Sequence, residues 1–266
     1  MSTNNDSLEG ISKGKGLRRM EERMERAIKP KGFPIAFRFF PKGAELDEEM
    51  MKSEVQIPVA LCQVIKAVNI NGTPQLIRKA NKQECADGEH VLGFYEHPKG
   101  LGESWEIVFG IERERYDRLV AEIIHAPFGA NESIIFAPLH AFEDMEMQPQ
   151  GVIFNVNITQ AELLILSSYL ANGKKLSWSY NGHAACEIVA ALEQGKSPWL
   201  VFPCLGTRFF AADQEDELWF GLSIPDMEKC IRVLEQNGMR YPLSFEAVLA
   251  PTVRDFIVSK MMKRPE

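Results

Sequence analysis

The segment VFPCLGTRFFAADQEDELWFG, residues 201–221, holds a thiol between a proline and a glycine, with an arginine four residues further on. A cysteine kept only for packing needs no such surroundings, so Cys204 reads as a presented thiol. Two more cysteines have comparable settings, Cys85 at the start of CADGEH and Cys186 in the first turn of HAACEIVAALEQG, and Cys62 in LCQVIKA joins them as a candidate from within a buried helix. Polar turns and helix starts favour a thiolate through nearby amide groups and the helix dipole. Four thiolates from separated segments are the donor set of an iron–sulfur cluster, with zinc as the alternative. No C-x-x-C pair occurs, so only the fold can bring Cys62, Cys85, Cys186 and Cys204 together. Cys230, among apolar neighbours in DMEKCIRVLEQNG, reads as a core residue.

Charged and aromatic residues accompany these thiols. His183 precedes Cys186 by three residues, on one helical face with it, and His90 follows Cys85 by five; each is a candidate ligand or proton relay. Arg208 is placed to bind an anion or lower the Cys204 pKa, and equally to pair with the acidic run 213–217, itself read as a solvated loop. Arg38 interrupts the aromatic run AFRFF and shares a face with Ala36 and Phe40. It reads as solvent-facing, with anion binding as the alternative. Phe94, Tyr95, Trp178, Tyr180, Phe209 and Phe210 lie near the cysteine segments, where they would line a pocket or fill core.

The elements that must position these groups follow from periodicity. Residues 1–16 are polar and predict a disordered tail, and 17–29 an amphipathic helix with Leu17, Met20, Met24 and Ile28 on one face, ended by Pro30. The first half, 30–148, predicts a strand over 33–40, a helix over 57–68, an Asn71-Gly72 turn, a strand in TPQLIRKA, a strand over 105–111 and a helix in RERYDRLVAEII. The second half, 149–262, predicts a strand over 151–158 and a helix capped by Thr159 and Gly173. KLSWSY is the next strand, and the helix bearing Cys186 follows. A strand ending at Cys204, the strand ELWFGLSI and a helix begun by Pro225 complete it.

Both halves run strand, cysteine-bearing helix, strand, cysteine-bearing turn, strand, helix. Cys62 and Cys186 are 124 positions apart, Cys85 and Cys204 119, and the Phe-Gly pairs at 109 and 220 are 111 apart. The expectation is an α/β (mixed α+β) fold of two similar halves related by internal duplication, forming one unit with mixed sheets covered by helices, in which equivalent cysteines meet near the shared axis. Chain length and a 45% hydrophobic composition suit a substantial core. A net charge of −7 argues against nucleic acid as partner. The absence of a long apolar run argues against a membrane, and the polar start predicts a cytoplasmic location. An odd cysteine number there argues against a disulfide framework.

PIAFRF, LCQVIKA at Cys62, Cys85 followed by HVLGF, the helix at Cys186, PCLGTR at Cys204 and DELWFGLSIP together resemble the uncharacterised ArCR family, domain of unknown function 169. The resemblance covers about residues 30 to 240. It implies a prokaryotic cytoplasmic protein whose recurring cysteines correspond to Cys62, Cys85, Cys186 and Cys204, and no established reaction. Motifs of dinucleotide, P-loop, hydrolase-elbow and zincin enzymes do not occur.

The preferred expectation is therefore a protein that binds an iron–sulfur cluster or other thiophilic metal, in an accessory or electron-transfer role with a small molecule or redox protein as partner. One alternative is a thiol-dependent enzyme acting on a small anionic substrate through Cys204 and Arg208. The other is a cofactor-free interaction module whose methionine-rich helix 17–28 docks a partner or a second copy, giving a homo-oligomer.

Overall fold

The computed structural model describes residues 16–81, 83–97, 106–107, 110–173, 175–179 and 184–242. The chain runs α1 (Leu17–Ile28), β1 (Lys31–Pro41), α2 (Glu48–Lys52), α3 (Leu61–Asn71), β2 (Gln75–Arg78), α4 (Ala86–Val91), α5 (Arg113–Glu122), β3 (Asn131–Pro138) and α6 (Leu139–Asp144). It continues through β4 (Gly151–Val156), α7 (Ile158–Asn172), β5 (Ser177–Ser179), α8 (Glu187–Glu193), β6 (Trp199–Val201), α9 (Leu205–Phe210), β7 (Leu218–Leu222) and α10 (Ile224–Gln236). The expected tail lies almost wholly outside the described residues.

The fold is mixed α+β, built on one seven-stranded sheet in the order β2-β3-β1-β4-β7-β6-β5. The two sets of strands join through antiparallel pairing of β1 with β4, where Phe37 stands opposite Gly151. Outward from that seam the order is β1-β3-β2 on one side and β4-β7-β6 on the other, antiparallel throughout. Beyond β6 lies the parallel strand β5, and beside β2 the backbone at Glu54 makes a parallel bridge to Leu76. The repetition includes the cysteines: α3 with Cys62 precedes β2 as Cys186 and α8 precede β6, and Cys85 follows β2 as Cys204 follows β6. The Phe-Gly echo does not take part. Gly110 adopts a left-handed φ of 65° outside any strand, whereas Gly221 is inside β7, and β7 corresponds in order to β3.

Alternation along the strands divides the core into two layers. Ile35, Phe37, Phe136, Ile153, Val201 and Trp219 face α3, α4 and α8, and all four candidate cysteines belong to or pack against this layer. Ala36, Ile135, Val152, Phe154, Phe220 and Leu222 face α1, α6, α7 and α10. Leu17, Met20, Met24 and Ile28 are buried in this second layer. The methionine stripe thus covers the chain's own sheet and is not offered to a partner. Cys230 sits in the same layer, fully buried with Ser168 Oγ at 3.1 Å, in keeping with a core role.

Several boundaries differ from expectation. The helix carrying Cys62 starts at Leu61, because the Gln63 side chain accepts the Ala60 N–H at 2.8 Å and closes its first turn. Asn157, not Thr159, caps α7 by accepting the Gln160 N–H at 2.9 Å. Of the strand expected over 105–111, Glu106 and Ile107 are helical, and Trp105, Val108 and Phe109 lie outside the described residues.

Helix α8 can lie close on the sheet because two strands present glycine beneath it. A Cβ on Gly151 would stand 2.9 Å from Leu192 Cδ1, and one on Gly221 2.8 Å from the same atom and 3.0 Å from Ile188 Cγ1. Gly221→Val should therefore lift α8 and cost about 1–3 kcal/mol. An unchanged urea midpoint would show that the sheet does not set the height of this helix.

Candidate functional site

Each candidate thiol stands at a helix start on the same side of the sheet. Cys62 is the second residue of α3, and Cys85, Cys186 and Cys204 are the N-cap residues of α4, α8 and α9. The Pro-Cys-x-Gly-Thr segment owes its form to this role. Cys204 Sγ accepts the Thr207 N–H at 3.4 Å while the Thr207 hydroxyl donates to the Cys204 carbonyl at 2.9 Å. Cysteine takes the place that serine or aspartate fills in an ordinary cap. Segments read from sequence as a polar turn after Cys85 and as the end of a strand at Cys204 are the short helices α4 and α9.

The four thiols lie within electrostatic reach of one another. Helix α3 packs against α4 and α9, and α8 packs against α4. Burial is the largest influence on the Cys62 thiol, followed by the charges Cys85 and Cys204 would carry, and its pKa rises to about 12. Cys85 is pushed up to about 11, by burial first and then by Asp87 and Cys204, against the amides of Gly88 and Asp87. Cys186 is raised well above the ordinary thiol value by burial and by Cys85, Cys204 and Cys62. Every pair among the four is thus close enough to interact electrostatically. Among the described residues, no three His, Cys, Asp or Glu groups have the arrangement needed to hold a metal ion.

Polar groups surround the thiols. Asp87 and the Tyr116 hydroxyl approach His97 Nε2 at 3.0 and 3.4 Å. The His90 ring lies 5.7 Å from His97 and 4.8 Å from His125, and His125 stacks on Phe128 at 4.2 Å. Gly93 permits this grouping: at φ 67° its absent Cβ would stand 2.4 Å from the Ala126 carbonyl. His90 is thus in the thiol layer, while His183 and Tyr180 fall outside the described residues. Phe94 is core; Tyr95, Trp178, Phe209 and Phe210 are exposed. Gln83 is buried between α3 and α4 with neither amide atom hydrogen-bonded among the described residues.

The two arginines have other engagements. Arg208 donates to the carbonyls of Asp213, at 3.2 Å, and Gln214, clamping the loop after α9. Arg38 lies on the opposite side of the sheet from the thiols, half-buried, and donates to the Gln148 carbonyl at 2.6 Å; it is not solvent-directed as expected. The acidic run is only partly solvated. Asp213 and Glu217 are buried and hold the Lys66 ammonium at 3.0 and 2.6 Å. Lys66 is one turn beyond Cys62 on α3, so this ion pair ties the Cys62 helix to the segment after Cys204.

Comparison with protein families shows that the chain belongs to the uncharacterised ArCR family, domain of unknown function 169, whose model matches residues 23–232. Comparisons with curated proteins and with solved structures give no match. No helix among the described residues is long and apolar enough to cross a membrane.

Two outcomes test these electrostatics. For Cys62 and Cys85, iodoacetamide labelling followed by mass spectrometry should rise about tenfold per pH unit between pH 8 and 10, since the thiolate is the nucleophile. A plateau at the ordinary thiol pKa would contradict the burial effect. For Lys66→Met, loss of the ammonium leaves two buried carboxylates unpaired and should cost about 3–5 kcal/mol at pH 7. Burial works to raise Glu217, but Lys66, the Gln214 amide and Asn155 prevail and hold it at about 2. The wild-type protein therefore loses this contribution as pH falls from the ordinary carboxylate range towards 2. In the variant both carboxyls titrate higher and protonation stabilises the fold, so the stability gap must narrow on acidification. A gap that widens would refute the pairing.

Proposed function

We propose that this protein binds an iron–sulfur cluster or another thiophilic metal through Cys62, Cys85, Cys186 and Cys204, and serves as an accessory or electron-transfer protein. The observation that supports the reading is the placement of four helix-start thiols in or against one core layer, each within electrostatic reach of the others. Burial and mutual repulsion oppose thiolate formation at Cys62, Cys85 and Cys186. A bound cation reverses that balance, because a coordinated thiol is deprotonated and its charge matched. The unpaired Gln83 amide beside α3 and α4 adds a polar group able to face a ligand.

A cluster suits the arrangement better than one zinc ion. A tetrahedral site with 2.3 Å bonds demands sulfurs roughly 3.8 Å apart. In a cluster each thiolate binds a different iron, and the ligating sulfurs stand farther apart. The repeated strand order supports an origin by duplication, each half supplying two ligands. Commitment of Arg208 to two backbone carbonyls weighs against the alternative in which it clamps an anionic substrate beside a Cys204 nucleophile.

Anaerobic purification followed by visible spectroscopy and iron and sulfide analysis tests this. The expected result is a broad band near 400 nm with iron and acid-labile sulfide. It should be lost in Cys204→Ala and retained in Cys230→Ala. A colourless, metal-free wild-type protein, or an identical spectrum in Cys204→Ala, would overturn the reading.

A further inference from the structure

A second cavity, on the opposite side of the sheet from the thiols, lies between α1, α10 and residues 238–240. Its volume is about 450 Å³, within the range of small-molecule sites. Half-buried Met239 gives it apolar surface above the buried Ala27 and Leu234, while Arg23, Arg26 and Arg240 bring three guanidinium groups to it. Arg23 donates to Glu235 at 2.8 Å. Arg26 and Arg240 are exposed and have no hydrogen-bonded or ion-paired partner among the described residues.

The bland explanation is that arginines gather where helices end, since α1 and α10 both terminate here and their dipoles attract cations. Magnitudes decide against it as a full account. Two helix ends supply together about one negative charge, and Glu235 and Glu228, which both act on Arg23, supply two more, against three guanidinium groups at the cavity. Arg19, on the same side of α1 as Arg23 and Arg26, also acts on Glu235 and adds to the excess. About one positive charge is left unmatched in a chain whose net charge is −7.

The geometry points to a binding site for a small phosphorylated compound, with Arg26 and Arg240 holding the phosphate and the apolar part resting on Met239. Planar guanidinium groups suit phosphate because each can donate two parallel hydrogen bonds. The site is independent of the thiol reading, and neither arginine is near a cysteine in the site described above.

Isothermal titration of the full chain with phenyl phosphate and with inorganic pyrophosphate, at fixed ionic strength, tests the assignment. Wild-type protein is expected to bind phenyl phosphate saturably. The double variant Arg26→Gln/Arg240→Gln should bind at least tenfold more weakly, as loss of charged hydrogen bonds predicts. Cys204→Ala should bind as wild type does. Both arginines are exposed, and Arg240→Gln alone provides a milder check should the double variant misfold. Absence of saturable binding, or equal affinity in wild type and the arginine variants, would overturn the proposal. Tight pyrophosphate binding with none of phenyl phosphate would refute the role given to Met239.

Discussion

The antiparallel pairing of β1 with β4 is the constraint on which the rest of the molecule depends. It joins two sets of strands into one sheet and fixes their relative orientation, with Phe37 opposite Gly151. An antiparallel seam relates its two sides by a twofold rotation perpendicular to the sheet, so elements in corresponding positions emerge on the same side. Helices α3 and α8 accordingly share one layer with all four candidate cysteines, while α6 and α10 share the other. Had the two sets packed face to face as separate sheets, this seam could not have brought the four helix starts onto one shared surface.

Convergence creates an electrostatic problem within that layer. A helix start offers amides to a thiolate, but at Cys62 and Cys85 burial outweighs that help and the pKa rises to about 12 and about 11. Each thiolate formed would make the next harder to form. Cys62, Cys85 and Cys186 therefore stay neutral unless a positive charge enters among them. The Lys66 ammonium does not serve that purpose, because Asp213 and Glu217 already hold it. Its role is mechanical, keeping the α3 start and the segment after Cys204 together.

Legibility in the sequence followed the size of the local signal. Helix α1 had an apolar stripe at helical spacing, and β1 and β4 were rich in aromatic and branched residues, so their positions could be read directly. Strand β3 was missed. NESIIFAP begins with polar residues and ends in proline, and because it is buried on both faces it lacks the alternation that marks a half-exposed strand. Helices α4 and α9 were missed because each spans six residues, too few for periodicity to register, and their N-cap residues are cysteines, not the usual residues with an accepting oxygen. The order of the cysteines survived these errors, since equivalence between Cys62 and Cys186, and between Cys85 and Cys204, depends on neighbouring strands that were recognised. The Phe-Gly echo failed for the opposite reason: a dipeptide carries no topology.

Cys230 shows why residue type alone cannot define a site. It is as buried as Cys186, and burial raises both thiols. Yet Cys230 lies in the layer under α10 with the Ser168 hydroxyl at 3.1 Å and no other cysteine acting on it, so its sulfur is satisfied as a small core group. Cys186 faces three other thiols. The difference is set by which side of one sheet each helix covers, and that choice descends from the seam between β1 and β4. The four candidate cysteines thereby share one layer, and the other is packed with methionine, leucine and phenylalanine.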